Sequence, residues 1–395
     1  MKILLSAYAC EPGKGSEPEV GLRTALVAAQ THDVWVITRE NNLPTLRAYL
    51  KNEQLAERIH LIGLDVPGPG LRLKKRYGIF SQLYYDRWQR ALADRAVELD
   101  RRIRFDLTHH VTFAAYWKRT GVAAVRRPFV WGPVGGGVRA PLGLYGELGV
   151  RGIVERVARD VARPVIAMVP TVRLPQRRAA VVLTQNPETA RRITSRYEPI
   201  VMPNALAVRV PKSEIPPARQ LTVVCVAGLI PLKGVRLAVQ SFAAVRTSSV
   251  RMVVIGQGVE LRRIQRMAAS LGVLNRITFT GRLPREEVLR IVASASVLIH
   301  AALHEEAGLA VSEALSYGTP VVCLDRGGPP QLLKYWPDVP SHAVPPRSRR
   351  KTVRALANAL DDVLADPPAK TAIYSPSQSY DATVLNAYKE AVIRG

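Results

Sequence analysis

The sequence predicts an α/β protein built from two doubly wound, Rossmann-like domains, and three observations carry that prediction. Short apolar runs of strand length alternate with stretches of helical periodicity in both halves, the pattern of parallel sheets flanked by helices. The rhythm breaks at a Pro-rich stretch near the middle and then restarts. The chain is also large enough, at 395 residues with 47% hydrophobic side chains, to bury two cores of ordinary size.

In the first half, strands are predicted at residues 3–9, 34–38, 59–64, 107–111, 129–131 and 181–184, each an apolar run bounded by polar or turn residues. In the second half they fall at 221–227, 250–255, 277–280, 297–301 and 321–324. The domains are therefore expected at 1–203 and 220–375, joined by a linker at 204–219. A last helix within 376–395 follows a Ser/Pro-rich break. Doubly wound domains bind ligands at the carboxyl ends of their strands, so a cleft between the two is the expected site.

No segment reaches the roughly 18 uninterrupted apolar residues of a membrane span. The start, MKILLSAYACEPG, is too brief for a signal peptide and reads as a first buried strand. Cys10, Cys225 and Cys323 each end an apolar run and read as buried thiols, which places the chain in the cytoplasm. Histidines and cysteines lack the paired spacing of a metal site, so no metal is expected.

The formal charge is +24, with 44 arginines against 12 lysines. Nucleotide composition of the gene explains part of such a skew; attraction to an anionic partner explains the rest. Residues 70–105 interleave Arg72, Lys74, Lys75, Arg76, Arg87 and Arg90 with Tyr77, Phe80, Tyr84, Tyr85 and Trp88. Residues 150–178 set apolar positions at helical spacing among arginines. Both patterns suit peripheral association with an anionic membrane. They also suit single-stranded nucleic acid, but no nucleic-acid-binding motif accompanies them, and nucleic acid is not expected as a partner.

The stretch HEEAGLAVSEALSYGTPVV, residues 304–322, places Glu305 and Glu313 on either side of Gly308. A loop there feeds a helix whose first N–H groups, at Gly308, Leu309 and Ala310, form a natural phosphate site. Glu313, little more than a turn inside, can reach the same place, while Glu305 lies outside the helix. Upstream, VVCVAGLIPLKGV (223–235) turns from a strand into Lys233, a cation able to neutralise a diphosphate without a metal. VRMVVIGQGVE (250–260) follows a strand with Gly256 and Gly258, and a glycine there lets backbone approach a ligand. RITFTGRLPREEV (276–288) carries Arg282 and Leu283 after another strand. In the first half, SAYACEPGKGSEPEVG (6–21) is a strand, a glycine-containing loop and a helix, with the amides of Lys14, Gly15 and Ser16 free to meet a phosphate. FDLTHHVTF (105–113) puts His109 and His110 at a strand end, facing opposite sides, so one of the two can face the cleft and the other belongs to the core. FVWGPVGGG (129–137) sets Trp131 beside a flexible loop of Gly135, Gly136 and Gly137, suited to an acceptor-site wall.

These motifs resemble those of the retaining GT-B glycosyltransferases of group 1, or family 4, whose signature is E-x7-E. The resemblance covers nearly the whole chain and is more specific in the second half. It implies a GT-B fold, two domains facing across a cleft, and transfer of a sugar from a nucleotide-sugar donor to a hydroxyl of a glycan acceptor. The membrane-directed charge makes that acceptor lipid-linked, in cell-surface polysaccharide or glycolipid biosynthesis. The co-substrate is a nucleotide-diphosphate sugar, with no other cofactor. The resemblance further implies that Glu313 binds the ribose, Glu305 lies beside the donor sugar, and Lys233 holds the diphosphate. Arg282 and Leu283 border the base, and His109 or His110 supports the reacting centre. Two departures stand out. Glu306 and Ala307 replace the commoner Gly and Phe, which bears on sugar selectivity. Gly228 stands where the family usually has an arginine on the diphosphate, which keeps open a non-catalytic, nucleotide- or glycan-binding subunit.

Overall fold

A computed structural model describes residues 1–66, 80–204, 220–368 and 377–395, the side chains of Ser16, Phe80, Ser377 and Gln378 excepted. Residues 70–79 of the basic stretch expected at 70–105, and residues 205–219 of the linker expected at 204–219, lie outside the described residues. The chain divides into two compact units. One comprises Met1–Gly137, Val161–Asn204 and Gln378–Gly395; the other comprises Val138–Asp160 and Ala205–Ser377. This corrects the sequence expectation of an unbroken first domain to residue 203. Residues 138–160 belong with the second unit because Ala140, Leu144 and Leu148 are buried in its core. The chain enters this segment after Gly135, Gly136 and Gly137, but its return at Asp160 falls inside the helix Gly149–Ala167, where no turn signal marks it.

The first unit holds strands β1 (Lys2–Ser6), β2 (Asp33–Thr38), β3 (Ile59–Gly63), β4 (Leu107–His110), β5 (Phe129–Val134), β6 (Val181–Thr184) and β7 (Ile200–Val201). All pairings are parallel, in the order β3-β2-β1-β4-β5-β6-β7. Strands β4, β5 and β6 are buried at every residue, as a parallel sheet covered on both faces requires. Its helices are α1 (Ser16–Ala29), α2 (Leu43–Leu50), α3 (Phe80–Ile103), α4 (Gly149–Ala167), α5 (Pro170–Arg178) and α6 (Pro187–Ala190), α4 running across the division between the units. Helix α3 presents Trp88, Leu92, Ala96 and Leu99, spaced by three or four, to the core. Tyr84, Tyr85 and Trp88 are buried there as well, which removes them from the membrane face expected of this stretch. Helix α4 does keep Val150, Val154, Val157, Val161 and Val165 exposed on one stripe.

The second unit repeats the plan with β8 (Thr222–Val226), β9 (Arg251–Ile255), β10 (Ile277–Gly281), β11 (Val297–His300), β12 (Val321–Leu324) and β13 (His342–Val344). They are parallel in the order β10-β9-β8-β11-β12-β13. Helices α7 (Val235–Ala243), α8 (Leu261–Ser270), α9 (Arg285–Ser294), α10 (Leu309–Ser316), α11 (Pro329–Leu333) and α12 (Arg349–Ala365) flank the sheet. The final helix α13 (Ser377–Arg394) packs in the first unit, where Tyr380, Val384 and Tyr388 are buried and Arg23 grips Asp381 at 2.7 Å. In both sheets the first strand lies between the second and the fourth, which makes its carboxyl end the switch point where ligands bind in this architecture. The edge strands β7 and β13, two and three residues long, are too short for a periodic signal and were not expected. Cys10, Cys225 and Cys323 are free and buried. Among the described residues no helix is long and apolar enough to cross a membrane.

Candidate active site

In the second unit the candidate residues sit on loops leaving the carboxyl ends of the central strands. After β8 the chain passes Gly228, makes a 3-10 turn at Pro231–Lys233 and enters α7 through Gly234. Gly234 has φ +62°, and a Cβ there would lie 1.8 Å from the carbonyl oxygen of Ala301, so no other residue fits. The turn is tied to the loop after β11, because Leu303 N–H donates to the Leu232 carbonyl at 2.9 Å. That tie brings Lys233 Nζ to 2.7 Å from Glu305 Oε2. His300, the last residue of β11, places Nε2 3.4 Å from the same oxygen. Burial opposes the charge on Glu305, but His300 and Lys233 outweigh it and hold the carboxyl well below the usual carboxylate range.

Gly308, with φ +84°, starts α10. The first bonds of the helix run from Val311 and Ser312 N–H to the Gly308 carbonyl. The N–H groups of Leu309 and Ala310 therefore have no acceptor inside the helix and sit at its positive end. Glu313, 8% exposed, lies on the same helix, and Arg285 Nη1 is 2.7 Å from its Oε1. Burial raises the Glu313 pKa against the pull of Arg285.

Three residues here were not anticipated. His300 and Arg285 hold the two glutamates. Arg156, 3% exposed, reaches His304 Nδ1 at 3.3 Å, Asp160 at 3.2 Å and the Val138 carbonyl at 2.6 Å, and so props the loop before Glu305. Arg285 left a signal, since a cation in the first turn of a helix opposes the dipole and needs a reason. His300 and Arg156 left none.

Other expectations change. Gly256 and Gly258 do allow a close backbone approach, but the partner is the chain's own loop: added Cβ atoms would lie 2.0 Å from the Ala227 and 2.3 Å from the Leu229 carbonyl oxygens. Leu283 is partly buried against the core cluster that contains Val292 and Leu298, and Arg282 is exposed. Gly228 is exposed, and an added Cβ there would meet nothing within 4 Å.

In the first unit, Gly15 (φ +60°) precedes α1, and Lys14 Nζ pairs with Glu11 at 2.7 Å. Neither His109 nor His110 is available to a ligand: both are 0% exposed. His109 bridges Tyr388 OH at 2.9 Å and the Gly132 carbonyl at 2.8 Å, while His110 bridges Ser6 Oγ at 3.0 Å and Tyr85 OH at 3.2 Å. Burial lowers their pKa values to about 4 and about 3. The expectation that one of them leaves the core fails because the aromatic cluster and the C-terminal helix cover both faces of β4. Trp131 is likewise 0% exposed and cannot form an acceptor wall. The glycine loop is pinned: Gly135 N–H donates to the Ala114 carbonyl at 2.9 Å, Gly136 lies against Trp117, and Gly137 N–H donates to Thr189 Oγ1 at 3.0 Å.

Among known proteins, residues 209–378 match the family described as "Glycosyl transferases group 1". A GDP-mannose-dependent alpha-(1-6)-phosphatidylinositol monomannoside mannosyltransferase of Mycolicibacterium smegmatis is 29% identical over 260 residues, 58% of this chain. The aligned stretch spans 66% of that relative, just under two thirds of its length. Anabaena HepE, solved with UDP and glucose, superposes with a TM-score of 0.56 at 17% identity, covering 99% of this chain and 98% of HepE. WaaG, a glycosyltransferase involved in lipopolysaccharide biosynthesis, gives 0.55 at 18% identity, over 98% and 95% of the two chains. Residues 209–378 thus match the group 1 glycosyl transferases, over less than half of the chain, and the two parallel-sheet units have the GT-B fold.

Proposed function

We propose that the chain is a retaining, metal-independent glycosyltransferase that moves a sugar from a nucleotide-diphosphate donor to a hydroxyl of a glycan or lipid-linked acceptor. The observation that carries this reading is the set Lys233, Glu305 and the start of α10, gathered on two loops of the second unit. A diphosphate seated on the free N–H groups of Leu309 and Ala310 draws Lys233 from its carboxylate partner, and the lysine stabilises the leaving charge in place of a metal. Glu313, already turned to accept from Arg285, accepts from ribose hydroxyls. Glu305, kept ionised by His300, orients the sugar. The chemistry asks chiefly for positioning and charge stabilisation. No residue of the first unit is assigned to the reacting centre in this reading, since His109 and His110 are sealed in the core.

The mannosyltransferase relative is named for GDP-mannose and a phosphatidylinositol mannoside, which supports a guanine nucleotide and a lipid-borne acceptor. The exposed valine stripe of α4, flanked by Arg151 and Arg159, supports a peripheral place on an anionic membrane at the inner face of the cell. The reading is tested by calorimetric titration with GDP and UDP on the wild type and on Glu313→Gln. Micromolar binding of one nucleotide, weakened in the variant, supports it; no binding of either refutes it. A second reading, a non-catalytic nucleotide-binding subunit, rests on Gly228, where no cation stands. Nucleotide binding without donor turnover would establish that one instead.

A further inference from the structure

A cavity of about 610 Å³ opens within the first unit, between residues 123–128, helix α5 and the end of α13. Six arginines line it: Arg126, Arg127, Arg177, Arg178, Arg196 and Arg394. No Asp or Glu side chain does. Three of the six are already engaged. Arg127 pairs with Asp100 at 3.1 Å, Arg394 pairs with Glu390, and Arg178 donates to the Ala123 carbonyl. Arg126, Arg177 and Arg196 have no carboxylate partner among the described residues. The wall is also ordered: Arg394 lies 4.2 Å and Arg196 5.4 Å from the centre of the Tyr197 ring, so one aromatic face sets two guanidinium groups. Burial, and then the Arg126 cation, lower the Arg178 pKa, as crowded positive charge should.

Most arginines on a protein surface find a carboxylate or open water. Three unpaired ones around one concave space, beside three more already committed, leave a local excess that a multiply charged anion relieves. Guanidinium forks match phosphate oxygens bidentately, which a single carboxylate would not exploit three times over. We propose that this cavity binds a phosphate-bearing anion of at least two negative charges, with Arg126, Arg177 and Arg196 as its ligands. The phosphate has two conceivable sources, a soluble phosphate compound or a lipid headgroup. This site shares no residue with the loops around Lys233, and it stands whether or not the sugar-transfer reading does.

The test uses the full chain in two arms. In the first, inorganic pyrophosphate is titrated by calorimetry into the wild type, Lys233→Ala, the triple variant Arg126→Ala/Arg177→Ala/Arg196→Ala, and a control of equal charge loss, Arg262→Ala/Arg290→Ala/Arg354→Ala. In the second, the same proteins are sedimented with phosphatidylcholine vesicles, with and without phosphatidic acid. Binding that persists in Lys233→Ala and in the control but falls at least about tenfold in the cavity variant assigns the site. That pattern with pyrophosphate identifies a soluble source; the same pattern only with phosphatidic acid identifies a headgroup. Neither ligand binding, or equal losses in the cavity variant and the control, would overturn the proposal.

Discussion

The fourth strand of each sheet lies beside the first and ends on a histidine, yet His110 at the end of β4 and His300 at the end of β11 meet opposite surroundings. His110 is neutral and closed in by Ser6 and Tyr85. Behind it Tyr8 meets Tyr85 and Phe113 edge to face, with centroids 5.1 and 5.3 Å apart, and the Tyr85 and Phe113 rings lie tilted at 6.1 Å. His300 instead faces a carboxylate that also holds Lys233. The strand order is the same in both; the surroundings differ. Around the end of β4, Ser6 and Tyr8 from the end of β1, Tyr85 of α3 and Phe113 seal the switch point, whereas after β11 the chain supplies Glu305 and a helix start that leave charge there. The comparison teaches that strand order offers a ligand position and the side chains gathered around it decide whether it is used.

The sharpest way to break this comparison is at Lys233. Lys233→Ala should lower donor turnover about 10²–10³-fold, the usual cost of losing one preorganised donor to developing charge, with the fold retained. Steady-state kinetics with the preferred donor measures it, and unchanged turnover would remove the second switch point from the chemistry.

Acid should separate the two units next. A buried histidine whose folded pKa lies below 6.5 stays neutral in the native state while the unfolded chain takes up a proton. Stability is therefore intact above pH 6.5 and falls as the pH drops toward about 4 for His109 and about 3 for His110. The loss is about 1.4 kcal/mol per pH unit for each. Glu305, held low, keeps its contribution until the pH falls below the ordinary 4.5. Partly buried Glu17 and buried Glu313, both raised, pull the other way in their respective units. Hydrogen exchange between pH 6.5 and 5.5 should loosen β4 and β5 before β8 and β11; simultaneous loosening would show that the histidines do not set the difference.

A smaller effect is expected from Gly234→Ala. Its positive φ and its 1.8 Å approach to the Ala301 carbonyl should cost the second unit about 2 kcal/mol or more, read as a shift in denaturant midpoint. The smallest concerns Gly228. Open space around it admits a side chain, so Gly228→Arg should fold normally and tighten nucleotide binding roughly threefold to tenfold by adding a cation near the diphosphate. A calorimetric titration that found no gain would mean that position 228 does not face the ligand.

Much of the second unit was legible in the sequence. The strands 297–301 and 321–324 and the helix beginning at Gly308 follow from apolar run length and a glycine at the helix entry. Lys233 and Glu305 stood out because charge at a strand-to-helix turn has few structural uses. Their pairing was not legible: 72 positions separate them, and backbone bonds from Leu303 and His304 to the Leu232 carbonyl bring them together. The first unit was less legible at its site residues. His109, His110 and Trp131 are polar or amphipathic residues at strand ends, a position shared by ligand-binding and core side chains alike. Nothing local says that Tyr388, on a helix 279 positions away, will cap His109.

The sequence by itself determined the class of fold, the number of sheets and the places where chain reversals carry charge, because periodicity, glycine placement and composition act over a few residues. Tertiary structure alone decided which polar groups are sealed and which remain charged. Burial and pairing are set by residues distant in sequence, and the free energy of an ionisable group depends on those neighbours more than on its own type. That is why one of the two histidines read as chemistry although both proved to be core, whereas Arg285, unremarked in its helix, proved to hold Glu313.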